Sequence, residues 1–234
     1  MKDRTHFEHL ERIRKLVSEG WIQQQYSYNG SFCLLGACRR VASGGFDSDY
    51  DRLVSSLYGS IPVKGDRAEP IPASQALVAF NDAKGRTKEE VLAVVDKSIE
   101  KALNRETIDG LQIAARLLVD VGWVQDFMIA EDEKGQPCGY CLKGAVFAAS
   151  HKWYRRLHPK PKPVKSGNVM ADLRYRMFEA LRAAAVAKMG CATDPFVDWL
   201  VMYNDEPGRT HDDILAVVND AIANVGEGRD IDRV

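Results

Sequence analysis

The chain has 234 residues, of which 45% are hydrophobic and 28% are charged, a composition typical of a globular protein with a sizeable core. Its formal net charge of −1 excludes the overall electrostatic field of a general nucleic-acid or anionic-membrane binder. The polar start, residues 1–8, lacks the apolar stretch of a signal peptide, and no later run is long enough to span a membrane. We therefore expect a cytoplasmic protein with no membrane partner.

Three sequence blocks occur twice, in the same order. They are residues 20–23 and 122–125, residues 33–37 and 141–145, and residues 80–87 and 203–210. The offset between copies grows from 102 to 108 to 123, which places loop insertions in the second copy, the first of them around residues 131–135. A repeated order with loop-sized gaps indicates a tandem duplication.

The duplication predicts a mainly α fold with two homologous helical repeats related by pseudo-two-fold symmetry and at most short extended segments. We expect the first repeat to span residues 1–105 and the second residues 106–226. Residues 227–234 are predicted to form a flexible tail.

Apolar residues at helical spacing predict an opening helix in each repeat, over about 7–17 and 111–118. Gly20 and Gly122 are expected to end these helices, because a helix terminus favours a residue that tolerates positive φ. The aromatic and β-branched stretches that follow, 21–28 and 123–129, are compatible with short extended pieces.

The Cys-x-x-Gly-Ala blocks predict core helices, since small residues permit close packing. Further helices are predicted at about 48–58, 74–80, 170–189 and 195–203, the last with a helix start at Asp194-Pro195. The final helix of each repeat follows a capping-box pattern, Thr87 with Glu90 and Thr210 with Asp213.

The motif Asn-Asp-x-x-Gly-Arg-Thr, residues 81–87 and 204–210, is called the Asn-Asp motif below. It gathers an amide, a carboxylate and a guanidinium at a helix N-terminus, a setting that favours an anionic or hydrogen-bonding ligand. With the two repeated tryptophans as an aromatic wall, the candidate ligand-binding residues are Asn81, Asp82, Arg86, Asn204, Asp205, Arg209, Trp21 and Trp123. The alternative is a purely structural network, with Thr as helix cap, Gly in the turn and Trp as a core anchor.

Cys33 and Cys141 occupy equivalent positions near predicted helix starts, where a thiol can act as a nucleophile or simply fill the core. None of the five histidines is repeated, which excludes a duplicated Cys-His site. Cys138 forms a C-x-x-C pattern with Cys141, but the first copy has Gly30 in its place and no second ligand pair follows. We predict reduced thiols, no metal and no cofactor.

Residues 151–167 contain no acidic residue and form the largest insertion of the second copy. The alternating Pro and Lys of residues 159–163 predict an exposed, extended arm. The candidate contacts to a nucleic acid or to an acidic partner are Lys152, Arg155, Arg156, Lys160, Lys162 and Lys165. A solvated connecting loop is the alternative.

Each copy resembles an uncharacterised family of small bacterial and phage domains. The family's pattern is Gly-Trp-x-Gln, then Cys-x-x-Gly-Ala, then Trp-Asn-Asp-x-x-Gly-Arg-Thr and a terminal helix. Phe80 and Tyr203 stand where that pattern has Trp, an exchange that preserves an aromatic packing residue. The resemblance implies the duplication and no particular activity.

The leading hypothesis is a non-catalytic binding module, such as a phage or accessory protein. It would engage a protein or small molecule through the Asn-Asp motifs or the seam between repeats. One alternative is a small enzyme in which Asp82 or Asp205 is the acid or base and Arg86 or Arg209 holds an anionic substrate, with Cys33 or Cys141 nearby. Nucleic-acid binding through residues 151–167 is a second alternative. The common nucleotide-binding, hydrolase and metalloprotease signatures are absent from the sequence.

Overall fold

The computed structural model describes residues 6–42, 47–62, 71–157, 167–190 and 198–228. This described part is mainly helical, as predicted, and none of its helices combines the length and apolarity needed to cross a membrane. Its helices are α1 (His6–Glu19), α2 (Leu34–Ala42), α3 (Asp47–Tyr58), α4 (Ala73–Asn81), α5 (Lys88–Asp120), α6 (Leu142–Leu157), α7 (Gly167–Met189), α8 (Trp199–Asp205) and α9 (His211–Gly226). Its strands are β1 (Ser27–Tyr28), β2 (Ser31–Phe32), β3 (Ile129–Glu131) and β4 (Pro137–Tyr140).

The chain divides into two compact units, Met1–Leu103 and Asn104–Val234. In the described residues, each unit runs through the same order of elements: a helix, a β-hairpin and four further helices. The predicted tandem repeat is therefore present in the folded chain. The predicted tail, residues 227–234, lies outside the described residues from position 229 onward.

The last helix of the first repeat and the first helix of the second are one continuous helix, α5. The sequence predicted them separately, from apolar stripes that leave residues 103–110 unassigned. Residues 100–109 contain neither Gly nor Pro, so nothing in that stretch breaks a helix. The predicted repeat boundary at 105/106 lies inside α5, two residues beyond the boundary between the units.

Each unit has its own hydrophobic core. In the first unit, Leu10, Ile13 and Val17 of α1 are fully buried in a cluster with residues of α2, α3 and α5. In the second unit, Leu118 of α5 and Met177 of α7 are fully buried in the corresponding cluster. Full burial of such a side chain stabilises a fold by about 1.5–3 kcal/mol relative to exposure, so these clusters are the main favourable contribution in each unit.

A short antiparallel hairpin follows the first helix in each unit. β1 pairs with β2 in the first unit and β3 with β4 in the second, where the inserted turn is closed by backbone N–H groups donating to Asp132 Oδ1. A parallel bridge joins Trp21 to Phe32 and another joins Trp123 to Tyr140. The extended pieces compatible with the sequence are thus present, and the repeated tryptophans are attached to them.

The two glycines that follow the opening helices have different reasons to be glycine. Gly122 has φ 121°, which confirms the predicted helix end in a conformation that favours glycine. Gly20 does not have a positive φ, and the predicted reason is wrong there. A Cβ at Gly20 would lie 2.5 Å from Ser31 Oγ, so close approach of the hairpin requires glycine instead.

The short helix α8 begins at Trp199. Its N-cap is Asp198, whose side chain accepts a hydrogen bond from the Val201 N–H. The predicted start at Asp194-Pro195 lies outside the described residues.

The insertion of the second copy begins as helix rather than as an arm. Residues 151–157 are the last two turns of α6, and Trp153 is 4% exposed. Trp153 lies four residues after Ala149 and seven after Val146, so it continues the buried stripe of α6 and extends the helix. The predicted extended segment, residues 159–163, and with it Lys160, Lys162 and Lys165, lies outside the described residues.

The glycine of each Cys-x-x-Gly-Ala block is held against the hairpin backbone. A Cβ at Gly36 would lie 1.8 Å from the Tyr26 carbonyl oxygen, and one at Gly144 would lie 1.8 Å from that of Met128. We expect Gly36→Ala and Gly144→Ala each to lower the free energy of unfolding by about 3 kcal/mol, because backbone must move. Urea unfolding followed by circular dichroism measures this.

Gly59→Ala is the control for this pair, since a Cβ there meets only ordinary contacts at 3.5 Å or more. Its free energy of unfolding should stay within about 1 kcal/mol of the wild-type value. Equal losses in the three variants would show that the close approach of helix and hairpin is unimportant.

Candidate functional site

The buried amide of Asn81 joins three separate segments of the first unit. Its Oδ1 accepts hydrogen bonds from Trp21 Nε1 at 2.8 Å and from the Leu34 N–H at 3.2 Å. Its Nδ2 donates to the Ile22 carbonyl at 3.1 Å and to Asp82 Oδ1 at 2.8 Å. The side chain uses both donors and both acceptor positions of its amide while the residue is only 1% exposed.

Asn204 makes the same four hydrogen bonds in the second unit. Its Oδ1 accepts from Trp123 Nε1 at 2.8 Å and from the Leu142 N–H at 3.1 Å. Its Nδ2 donates to the Val124 carbonyl at 3.2 Å and to Asp205 Oδ1 at 2.6 Å. We call each set of bonds an asparagine network. It brings together the three blocks that the sequence repeats.

The glutamines of the Gly-Trp-x-Gln blocks belong to the same networks. Gln23 Nε2 donates to the carbonyls of Asn81 and Ala83, at 2.8 and 3.3 Å. Gln125 Nε2 donates in the same way to the carbonyls of Asn204 and Glu206, at 3.0 and 3.2 Å. These bonds satisfy carbonyls at the C-terminal ends of α4 and α8, which have no partner within their own helix.

Each aspartate of the Asn-Asp motif holds a strained residue in place. The Gln24 N–H donates to Asp82 Oδ1 at 2.8 Å, and the Asp126 N–H donates to Asp205 Oδ1 at 3.0 Å. Gln24 has φ 63° and Asp126 has φ 65°, values that non-glycine residues rarely adopt. The carboxylate thus stabilises the same unfavourable backbone conformation, at the start of the hairpin segment, in both units.

Each arginine of the Asn-Asp motif lies over the aromatic ring that precedes the motif. The guanidinium of Arg86 is 3.9 Å from the ring centre of Phe80, and Arg86 Nε donates to the Phe80 carbonyl at 3.0 Å. Its Nη1 lies 3.0 Å from Glu90 Oε1. The charge therefore has a cation–π contact and an ion pair within its own unit.

Arg209 repeats this arrangement, 3.8 Å from the ring centre of Tyr203 and donating to its carbonyl at 3.1 Å. It pairs with Glu206 instead of a glutamate in the following helix. Burial raises the pKa of the Tyr203 hydroxyl, which donates to the Asp213 carbonyl at 3.3 Å.

The two motif threonines are helix N-caps, as predicted. The Glu90 N–H donates to Thr87 Oγ1 while the Thr87 N–H donates to Glu90, and Thr210 exchanges the same bonds with Asp213. Hydrogen bonds from the Thr210 backbone and side chain lower the pKa of the Asp213 carboxyl. Both capping boxes are thus closed.

The repeated cysteines are also helix caps. Cys33 immediately precedes α2, and its Sγ accepts from the Gly36 N–H at 3.3 Å. Cys141 Sγ accepts from the Gly144 N–H at 3.4 Å ahead of α6. Burial raises the pKa of the Cys33 thiol, and fuller burial raises the pKa of Cys38. At Cys33, this environment opposes the thiolate that a nucleophile needs.

The C-x-x-C pattern does not form a ligand cluster in the part of the chain described. Cys138 is exposed on β4, whereas Cys141 is buried at the start of α6. Among the described residues, no group of three or more His, Cys, Asp or Glu is placed to hold a metal ion.

A depression of about 640 Å³ borders the second Asn-Asp motif. Its charged lining residues are already paired, Lys188 with Asp220 at 2.8 Å and Arg209 with Glu206. The lining residues are Lys188, Met189, Trp199, Met202, Glu206, Pro207, Gly208 and Arg209. These lining residues therefore offer a ligand no unpaired charge.

Large apolar side chains are exposed beside both networks, at positions that the sequence did not single out. Tyr26 and Tyr28 are 49% and 63% exposed in the first unit. Phe127, Met128 and Ile129 are 67%, 47% and 41% exposed in the second. Phe127 directly follows the strained Asp126, whereas Gln25 separates Tyr26 from the strained Gln24. The aromatic and β-branched content of 21–28 and 123–129 was their only sequence signal. We call them the hairpin surfaces.

Of the basic candidates in the insertion, Lys152, Arg155 and Arg156 are described, and all three are exposed on α6. They lie in the C-terminal half of α6, whereas the asparagine network contacts Leu142 at the start of that helix. Trp153 is buried between them and is therefore unavailable for stacking on a base, contrary to the expectation for an arm flanked by free aromatic residues.

The model of a family of unknown function (DUF6197) matches the chain twice, over residues 1–101 and 104–224. The two matches together cover nearly the whole chain and correspond to the two repeats. No curated protein and no solved structure matches the chain.

We expect Asn204→Asp, and equally Asn81→Asp, to lower the free energy of unfolding by about 3 kcal/mol. The change keeps the size of the side chain but removes two donated bonds and places a charge in a buried site. Thermal and urea unfolding measure the loss. Asn219→Asp, on the exposed side of α9, is the control and should change stability little. A loss no larger than that of the control would contradict the role given to the amide.

The raised pKa of Cys33 predicts slow thiol chemistry. In a Cys191→Ser background, Ellman's reagent at pH 7.5 should react quickly with Cys138, which is exposed, and slowly with Cys33 and Cys38. The fast phase should disappear in Cys138→Ser. A fast phase that remains in that variant and maps to Cys33 would restore this cysteine as a candidate nucleophile.

Proposed function

Since the chain belongs to this family of unknown function, we propose its role from the geometry alone. The chain is a non-catalytic binding module, and each unit uses its hairpin surface to contact a protein partner. The asparagine networks and Asn-Asp motifs hold these surfaces in shape and are not themselves the contact.

The observation that carries this proposal is the strained residue that both units hold at the start of the hairpin segment. Gln24 and Asp126 keep positive φ although neither is glycine, at a cost of the order of 1–3 kcal/mol. In each case an aspartate carboxylate fixes the backbone N–H. Strain that is stabilised at the same position twice supports a role for the precise shape of the segment that follows.

The segment that follows has the chemistry of a protein contact. Phe127 is 67% exposed, and Met128 and Ile129 continue the apolar surface. Apolar groups displayed together on a soluble domain are characteristic of interaction sites. These side chains are exposed beside a hairpin, which suits the surface of another protein better than an enclosed small molecule.

The same geometry supports binding over the enzymatic alternative. The groups proposed for catalysis each have an internal role: Asp82 accepts two hydrogen bonds, Arg86 is stacked and paired, and Cys33 caps α2. A general acid or base must reach the proton that it transfers, and a substrate would have to replace these internal partners.

Photo-crosslinking tests the proposal in cells that produce the protein naturally. Benzoylphenylalanine is placed at Phe127 or at Tyr28, and at Val119 of α5 as a control that is 59% exposed outside the hairpins. We expect discrete protein adducts from the hairpin positions, identified by mass spectrometry, and none of these from Val119.

A second change shows whether the adducts report specific contact. Met128→Ser with Ile129→Ser should lower the yield of the adduct formed at position 127 at least tenfold, with unchanged circular dichroism, because both side chains are exposed. The proposal is wrong if Val119 gives the same adducts in the same yield, or if the hairpin positions give none.

A further inference from the structure

Within the described residues, the core helix of the second unit has a charged extension beyond the length of its counterpart in the first unit. α2 has nine residues and α6 has sixteen, and both start after a cysteine cap. At the offset of 108, the end of α2 at Ala42 corresponds to Ser150, so residues 151–157 are the addition. Trp153, 4% exposed within the core cluster, anchors this addition to the unit. The extension is therefore a fixed part of the fold.

Three cations share one side of this extension. Lys152, Arg155 and Arg156 stand at positions i, i+3 and i+4, which are neighbours on a helix surface. All three are exposed, and within the part of the chain that the structure describes none takes part in an ion pair or a hydrogen bond of its side chain. By contrast, Lys143 in the first turn of the same helix is paired with Asp198 at 2.7 Å. The three charges are thus available to a partner.

The part of the sequence that lacks acidic residues is much longer than the helix extension. From residue 134 to residue 171 there are eight Lys or Arg and no Asp or Glu. The remaining 24 Lys or Arg and 33 Asp or Glu give the rest of the chain a net charge of −9. A net charge of −1 for the whole chain therefore conceals one strongly basic stretch, which is the electrostatic pattern of a local polyanion contact.

We infer that this side of α6 binds the phosphate backbone of double-stranded nucleic acid, without reading its sequence. Guanidinium groups pair with phosphate oxygens through two parallel hydrogen bonds, and two of the three cations are arginines. This surface is separate from the hairpin surfaces and does not depend on their proposed role.

Two features favour a duplex over other polyanions. Single strands are bound by stacking their bases on free aromatic rings, but Trp153 is buried and the neighbouring Tyr154 is half-buried. Insertion into a membrane surface requires exposed apolar groups, but no large hydrophobic side chain of α6 up to Arg156 is strongly exposed. Contact with phosphates along a helical backbone needs only the cations that are present.

Fluorescence anisotropy with a labelled 20-base-pair DNA duplex tests this inference on the full chain. At 50 mM KCl we expect binding in the micromolar range. The logarithm of the binding constant should fall with the logarithm of salt concentration with a slope of about −3 or steeper, since each phosphate contact contributes about −0.9. Arg155→Gln with Arg156→Gln should weaken binding at least tenfold and flatten the slope by about 2.

Arg105→Gln with Arg116→Gln is the matched control, because it removes two exposed cations from α5 and leaves the α6 surface intact. This control should bind duplex within about twofold of the wild type. Thermal unfolding should be unchanged in both double variants, because all four arginines are exposed.

Several outcomes would overturn the inference. They are no duplex binding at 50 µM protein and 25 mM KCl, equal losses in the two double variants, and binding of a poly-glutamate peptide as tight as that of DNA. A single strand that binds tenfold more tightly than the duplex would assign the surface to base stacking. Tighter binding to phosphatidylserine vesicles would assign it to a membrane.

Discussion

The fold of each unit depends on one buried asparagine side chain. Asn81 and Asn204 each connect the tryptophan segment, the N-terminus of the core helix and the neighbouring aspartate through four hydrogen bonds. Among side chains of this length, only an amide has two N–H donors together with an oxygen that accepts two hydrogen bonds. Aspartate would lack the donors, and glutamine would need room for one more methylene. Losing the amide would leave buried donors and acceptors without partners, at about 1–3 kcal/mol each.

This single side chain explains why three distant blocks recur together. The asparagine caps the first N–H of α2 or α6, and the cysteine caps the third. The residue with this third N–H is a glycine, which lets the carbonyl of Tyr26 or Met128 approach the helix. The aspartate next to the asparagine holds the strained residue before the hairpin. Each block completes hydrogen bonds of another, so a change in one block leaves buried groups of the others unsatisfied. The three blocks are far apart in the sequence but form one hydrogen-bonded cluster in the folded unit.

Local patterns in the sequence were enough for the repeats, the main helices and the capping boxes, because their periods and caps involve neighbouring residues. α5 is continuous because no helix breaker lies between its two apolar stripes. The periodicity of the apolar residues within each stripe does not reveal this. The helical extension of α6 was readable from Trp153, which lies four residues after Ala149, but the basic run beyond it favoured an arm. The positive φ of Gln24 depends on Asp82, 58 residues away, and no local pattern indicates it.

Residues shared by two copies are usually expected to mark a common binding site. In this chain the shared asparagines hold the fold together. Asn81 and Asn204, which both copies keep, are buried and use their polar groups internally. A shared residue is therefore evidence for a shared fold, because any substitution there strands buried partners. The exposed positions have diverged: Gln25 corresponds to Phe127, and the cations of α6 have no counterpart in α2. Since the framework is the same, any difference between what the two units bind would have to come from these exposed, unrepeated side chains.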